Sequence, residues 1–196
     1  PLGAARMLMA SYVISWLPPR DHWTWDPANG NGFINENSCH LIDAVCSLMG
    51  EPRLVYASGK NYTDSGGVDA ASIHLSFADG AVAALACGGI GATAFHNHPQ
   101  MTVWTANGQA ELVGEEHIWR ELRWALAGDQ VVQHYVAPPE LLARTRYSDA
   151  LQAFIDTVRT GTEVPALPTS GVRAVDIAEA VYRSIRSGEP VALPPT

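Results

Sequence analysis

Apolar and polar residues alternate along the middle of this 196-residue chain, from Leu54 to Val136. A period of two is typical of strands that have one face buried in a sheet. Asp79-Gly80 and Asn107-Gly108 each separate two such runs and therefore predict β-hairpins, the second with a type I′ turn because both residues tolerate positive φ angles. The predicted strands are Tyr12–Trp16 within a run from Arg6 to Leu17, Arg53–Ser58, Ile73–Phe77, Val82–Leu85, Met101–Ala106, Ala110–Val113, Ile118–Leu126 and Gln130–Val136.

Helical spacing precedes and follows this region, and three helices are predicted to end at Gly50, Gly161 and Gly188. Thr169 or Ser170 can cap the third helix. Strands in the middle with helices on either side predict an α+β fold: one domain over residues 1–196 with a large open, mostly antiparallel sheet and helices packed on one face. Residues 18–32 are expected to form a surface loop. The apolar helix positions are Leu41, Ile42, Val45, Leu48 and Met49; Leu151, Phe154, Ile155 and Val158; and Val175, Ile177, Ala178, Val181, Tyr182 and Ile185.

Composition excludes several classes of partner. Hydrophobic residues make up 47% of the chain and charged residues 16%, which favours a packed globule. The net charge of −8 disfavours nucleic acids and anionic lipid surfaces. Cys39, Cys46 and Cys87 show no CxxC spacing, which favours a reducing, cytoplasmic location. No apolar run approaches the roughly 20 residues of a membrane-spanning helix.

The segment from Gly30 to Asp43 carries the most informative polar residues. Glu36 and His40 are four residues apart, so on a helix they would project from the same face at its first turn. An imidazole titrates near neutral pH, so this pair could bind a substrate hydroxyl and transfer its proton. The same spacing is common on ordinary helix surfaces, so spacing alone leaves both interpretations open.

The order of residues in this segment resembles the C-terminal domain of the Gfo/Idh/MocA oxidoreductases, the family of glucose-fructose oxidoreductase and inositol dehydrogenase. That family has a Gly-rich turn, two apolar residues, an Asp, three further residues, a His, two residues and an Asp. Here the pattern is Gly30-Asn31-Gly32, Phe33-Ile34, Glu36, His40 and Asp43. Farther along, Phe77-Ala78-Asp79-Gly80, Asn107-Gly108 and the region from Ser170-Gly171 to Leu193 follow the family order.

The resemblance implies that His40 donates or relays a proton at the carbinol oxygen and that the acidic residue at position 36 binds a substrate hydroxyl. The chain departs from the family pattern in two places. Glu36 stands where Asp is usual, which moves the carboxylate outward, and Asn37-Ser38 replaces a commoner apolar-Gly pair. Asp43 is expected to support the site from behind or to cap backbone groups.

The resemblance also implies a nicotinamide cofactor, NAD or NADP, held by a Rossmann domain of the same polypeptide. Gly88-Gly89-Ile90-Gly91 comes closest to a dinucleotide-binding run, but no helix is predicted after it. The family's Glu-Lys-Pro motif, whose lysine takes part in catalysis, is also absent from the 196 residues. We therefore expect this chain to hold no cofactor and to be inactive alone.

Other candidate substrate ligands are His96, Asn97 and His98, which precede the second hairpin where the family has residues at the substrate mouth. Trp23 and Trp25 could stack on a sugar, with core or dimer packing as an equal alternative. A His-x-His pair can bind zinc but needs a third ligand, so a loop without metal is favoured and no metal site is predicted.

The sequence thus favours the substrate-binding half of an NAD(P)-dependent oxidoreductase acting on a secondary alcohol of a sugar, polyol or cyclitol. One alternative is a non-catalytic carbohydrate-binding or oligomerisation module. A second is a metal hydrolase built on His96 and His98. Because a sheet with helices on one face leaves its other face to be covered, we expect a homodimer or tetramer formed through the sheet.

Overall fold

The structure, a computed structural model, describes residues 1–26, 28, 32–95, 99–115, 118–140, 147–162 and 168–194. The helices are α1 (Cys39–Met49), α2 (Ser148–Thr160) and α3 (Pro168–Ser187). A π-turn, Ile34–Ser38, leads into α1, and short 3-10 turns cover Trp23–Trp25 and Thr93–Phe95. The strands are β1 (Ala5–Val13), β2 (Pro52–Lys60), β3 (Ala70–Phe77), β4 (Val82–Gly88), β5 (Gln100–Thr105), β6 (Gly108–Glu115), β7 (Ile118–Leu126), β8 (Gln133–Val136) and β9 (Val191–Ala192).

These strands form one open sheet in the order β8-β7-β6-β5-β1-β4-β3-β2-β9. β1 and β4 pair in parallel, and the other neighbouring strands pair antiparallel. The predicted α+β fold with a large, mostly antiparallel sheet is therefore confirmed. The strand that follows α1 and the two hairpins supply most of the sheet, as their period-two patterns predict.

The core lies between the sheet and the helices α1 and α3. Leu8 of β1, Ile42 of α1 and Val181 of α3 belong to one buried cluster and have no exposed surface. Residues at alternate positions of β1 point into this cluster, while Met7 and Met9 between them face outward. Among the described residues, no helix is long and apolar enough to cross a membrane.

The helix α2 ends at Gly161, as predicted, but none of its faces is buried. Gly161 ends it in the left-handed conformation, with φ of 68°. No residue of α2 is buried, and Leu151, Phe154 and Val158 are 61%, 58% and 69% exposed. The amphipathic pattern therefore predicts that this helix forms, but it does not predict which surface its apolar face contacts.

The first strand lies earlier than predicted, at Ala5–Val13 instead of Tyr12–Trp16. β1 forms hydrogen-bonded pairs with β4 and β5 on its two sides, and these pairs end near Val13. Ile14 donates to the Gly88 carbonyl at 2.8 Å and is buried although the strand has ended. The apolar run therefore marks burial, which extends beyond the strand.

The predicted hairpin between β5 and β6 is confirmed, but its type I′ turn is wrong. Neither Asn107 nor Gly108 has a positive φ angle. Asn107 instead donates its backbone N–H to the Leu2 carbonyl at 2.9 Å. A Cβ at position 108 would lie 2.2 Å from the Ala125 carbonyl oxygen. Glycine at this position permits close approach of β7 and is not needed for a left-handed backbone.

Candidate active site

The segment before His40 is a π-turn and not the first turn of a regular helix. The Cys39 N–H donates to the Ile34 carbonyl, five residues earlier, and α1 begins only at Cys39. A π-turn adds one residue relative to α-helical spacing. The prediction that Glu36 and His40 share a helix face assumed α-helical spacing, so their relative orientation depends on this turn.

A cavity of about 460 Å³ lies between α1 and strands β1, β5, β6 and β7. Its polar wall comes from α1, where His40, Asp43 and Ser47 line it at the spacing of one helix face. The remaining lining residues are mainly apolar or aromatic: Tyr12, Leu41, Ala44, Leu48, Pro99, Met101, Leu112 and Trp119. An apolar cavity with a few polar groups on one wall is the usual form of a small-molecule site.

The structure places the two principal candidates differently. His40 is exposed on the first turn of α1 and lines the cavity. Glu36 is also exposed, but it is not among the described residues that line the cavity. The sequence analysis did not single out Ser47, although this serine lies seven residues after His40, on the same face of the helix. The i, i+3, i+7 spacing of polar residues on α1 was the signal that could have found it.

Asp43 was predicted to support the site, and the structure links it to α3. Arg173 lies 3.5 Å from Asp43 Oδ1 through Nη2, and its Nη1 donates to Glu51 Oε1. The Arg173 side chain is 15% exposed, whereas that of Asp43 is 47% exposed. Asp43 is therefore held from behind by a cation while part of its carboxylate remains accessible from the cavity.

Trp25 has a packing role. It is 9% exposed, and its indole Nε1 donates to the Pro19 carbonyl at 3.0 Å. A Cβ on Gly66 would lie 2.1 Å from Trp25 Cγ, so the ring lies directly on the 61–69 loop. Core packing, one of the two alternatives for this residue, describes Trp25. Trp23 is 59% exposed and remains a prediction as a sugar contact, although neither ring lines the cavity.

The 61–69 loop that supports Trp25 is organised by Asp69, a residue that the sequence analysis missed. Asp69 has no exposed surface, and its carboxylate accepts hydrogen bonds from the backbone N–H groups of Tyr62 and Thr63 at 2.8 and 2.9 Å. The Thr63 hydroxyl donates at 2.7 Å. Burial alone raises the pKa of Asp69, but these bonds outweigh it and hold its pKa below the usual range.

The described residues show neither a metal site nor an activated thiol. Among the described residues, no group of three His, Cys, Asp or Glu side chains could hold a metal ion. His96, Asn97 and His98 lie outside the described residues, so their proposed roles stay predictions. Burial raises the pKa of the Cys46 and Cys87 thiols to about 12 and also raises that of Cys39, so none is an activated nucleophile.

The run Gly88-Gly89-Ile90-Gly91 does not form a dinucleotide-binding turn. Gly88-Gly89-Ile90-Gly91 follows β4 but leads only to the three-residue 3-10 turn Thr93–Phe95. The Leu17 side chain fills the space beside Gly89, where an added Cβ would lie 2.2 Å from Leu17 Cδ2. A phosphate-binding turn needs free backbone N–H groups at the start of a helix, but here the N–H groups of Gly89 and Gly91 donate to the Asp69 and Ile14 carbonyls.

Three solved structures illustrate the likeness of this fold to known proteins. Levoglucosan dehydrogenase with NADH and L-sorbose aligns with a TM-score of 0.81 and 18% identity, covering 98% of this chain and 60% of that one. Aldose-aldose oxidoreductase from Caulobacter crescentus with glycerol gives 0.78 and 22%, covering 98% and 56%. A protein from Sinorhizobium meliloti 1021 described as a myo-inositol dehydrogenase gives 0.72 and 19%, covering 98% and 58%.

At these identities the structural likeness shows the fold alone, and this chain spans at most 60% of the length of these three proteins. A search of curated protein sequences finds no significant match. The family model described as the GFO/IDH/MocA C-terminal domain matches residues 1–111, which is more than half of the chain. The chain therefore belongs to the GFO/IDH/MocA C-terminal domain family.

Proposed function

We propose that this chain is the substrate-binding part of an NAD(P)-dependent oxidoreductase that acts on a secondary alcohol of a sugar, polyol or cyclitol in the cytoplasm. The observation that carries the proposal is the position of His40, exposed on the first turn of α1 at the wall of the 460 Å³ cavity. A cavity of this size suits a ligand with several hydroxyl groups.

Different residues on the cavity wall would transfer the proton, bind the hydroxyl groups and contact the carbon skeleton of such an alcohol. The His40 imidazole accepts the proton of the reacting hydroxyl during oxidation and returns it during reduction. Asp43 and Ser47 offer oxygen acceptors to the neighbouring hydroxyls, and the apolar wall that includes Leu112 and Trp119 contacts the carbon skeleton. Glu36, which is exposed but not among the described lining residues, is retained as a candidate ligand for a further hydroxyl.

A nicotinamide held outside this chain would supply or accept the hydride, a proposal that is supported by the absence of a dinucleotide-binding turn at Gly88–Gly91. We assign it to a Rossmann domain of the same polypeptide. The solved relatives support this proposal: one carries NADH together with L-sorbose, another carries glycerol, and all three are longer than this chain. The chain without that domain is then expected to bind substrate but not to oxidise it.

A direct experiment measures polyol oxidation by the complete gene product and by residues 1–196 alone. The complete protein should reduce NAD or NADP in the presence of at least one sugar, polyol or cyclitol, which absorbance at 340 nm follows. Residues 1–196 should show no turnover but should bind the same compound by calorimetry. Binding without turnover in the complete protein would instead favour a carbohydrate-binding module. If the complete protein showed no binding and no turnover, the proposal would be refuted.

We also propose that the chain forms a homodimer or tetramer through the outer face of its sheet. Met7 and Met9 of β1 and Tyr56 of β2 are 41%, 55% and 42% exposed on that face, beside Ala84 and Ala86 of β4. An exposed patch of this kind in the middle of a sheet is normally covered by another surface. Two copies that pair face to face would bury both patches.

Met9→Glu should convert the oligomer to a monomer, because a charge at the centre of the patch would have to be buried. Size-exclusion chromatography with light scattering measures the mass. Val131→Glu is the matched control, since Val131 is an apolar residue that is 68% exposed outside the strands. A monomeric wild-type protein, or an oligomer unaffected by Met9→Glu, would contradict association through this face.

A further inference from the structure

The turn that precedes His40 is held by side chains of α3. Ile34 donates its backbone N–H to the Tyr182 hydroxyl at 3.0 Å. The side-chain amide of Asn35 donates to Glu179 Oε1 at 2.6 Å. The first N–H groups of a helical segment lack partners within the segment, and here a side chain from another helix supplies one. The start of this segment is therefore set by α3 and not only by its own sequence.

Tyr182 and Gly32 fit together closely. A Cβ on Gly32 would lie 2.2 Å from the Tyr182 hydroxyl oxygen and 2.8 Å from Cζ, so the phenol occupies the space of a side chain at position 32. Burial raises the pKa of Tyr182 to about 12, so the hydroxyl remains uncharged across the physiological range. The glycine before the π-turn thus has a physical reason: it admits the hydroxyl that accepts from Ile34.

We propose that Tyr182 is a positioning residue for the His40 site, a proposal that rests on the proposed function. The π-turn decides how far Glu36 is rotated from His40, because it adds one residue in front of the regular helix. Without the hydroxyl, the Ile34 N–H loses its acceptor and the turn can relax toward α-helical spacing. Glu36 then moves with the turn, while His40 stays on α1, which is packed on the sheet.

Tyr182→Phe in the complete enzyme tests this role, with Tyr62→Phe as the matched control because Tyr62 is 63% exposed. If Glu36 binds a substrate hydroxyl, Tyr182→Phe should raise KM about tenfold and change kcat less than about twofold, as expected when a substrate contact is lost. In a Glu36→Gln background, Tyr182→Phe should raise KM no further, because both substitutions remove the same contact between Glu36 and the substrate. Tyr62→Phe should leave both constants unchanged.

A second measurement reports the turn without relying on activity. The Ile34 amide should exchange with solvent about tenfold faster in Tyr182→Phe, since its hydrogen bond is lost. Glu179→Gln weakens the hydrogen bond from Asn35 and should also raise KM, so it replaces Tyr182→Phe if that variant folds poorly. NMR and steady-state kinetics compare each variant with the wild-type enzyme.

The outcomes separate this inference from the proposed function. An unchanged KM and unchanged Ile34 exchange in Tyr182→Phe would overturn the role of Tyr182 while polyol oxidation stands. A further KM rise in the Glu36→Gln background would overturn the claim that Tyr182 acts through Glu36. If the wild-type enzyme oxidises no polyol, the proposed function fails, and Ile34 exchange alone then decides whether Tyr182 holds the turn.

Discussion

Replacing His40 with alanine should lower kcat of the complete enzyme by about 100- to 1,000-fold, the usual contribution of a general acid–base group. His40 is the only histidine among the described residues that line the cavity, so its imidazole is the group there that we expect to transfer the proton. The binding of the polyol should change much less, because Asp43, Ser47 and the apolar wall remain. Steady-state turnover and calorimetric affinity, measured on the same polyol, separate the two effects.

His134→Ala is the matched control for this substitution. His134 is a partly exposed histidine on β8 that contacts Glu121 at 2.8 Å and does not line the cavity. It should leave kcat within about twofold of the wild type, as surface substitutions away from a site usually do. Undiminished turnover in His40→Ala would end the assignment of His40 as the acid–base group.

Asp69→Asn should destabilise the fold by about 3 kcal/mol at pH 7, since it removes a buried acceptor of several hydrogen bonds and turns an amide toward their donors. The carboxylate accepts from Tyr62, Thr63 and the Ser65 hydroxyl within one loop. The same loop lies against Trp25, so the substitution should also weaken the packing of Trp25. Urea unfolding gives the change in free energy, and Asp176→Asn on the exposed face of α3 is the matched control.

The effect of Asp69 should depend on pH in one direction. Its pKa in the folded protein is below the value of about 3.9 for an unfolded chain. The stabilisation is therefore complete above that unfolded value and is lost as the pH falls through the folded pKa. The difference between wild type and Asp69→Asn should shrink when unfolding is repeated near pH 3, below about 3.9. A difference that stays constant with pH would show that the charge of Asp69 contributes nothing.

The Arg20–Asp64 ion pair also joins the 61–69 loop to the segment that contains Trp25, but we expect it to contribute much less than Asp69. Its nitrogen and oxygen are 2.8 Å apart, but the two side chains are 70% and 80% exposed. Exposed pairs contribute little because water screens them and ordering the side chains costs entropy. Asp69 and not this ion pair is therefore expected to hold the loop on Trp25.

Some of the candidate site follows from the sequence because it depends on local spacing. A helix that carries Leu41 to Met49 and ends at Gly50 was evident from its apolar positions, and that helix puts His40 and Asp43 on one cavity wall. Glu36 shows where local spacing fails. Its orientation depends on a π-turn held by Tyr182, which is 146 to 148 residues away in sequence from Glu36 and Ile34. No periodicity within residues 30–43 contains that contact.

The sequence by itself determined most of the strands, the two hairpins and the three helices, because alternation, helical periodicity and glycine stops act over a few neighbouring residues. Tertiary structure alone decided which apolar faces are buried, as the exposed face of α2 and the buried Ile14 beyond β1 illustrate. It also decided the cavity, whose walls come from α1 and from four strands distant along the chain. The physical reason is that burial and cavities arise from contacts between elements, which no short segment of sequence specifies.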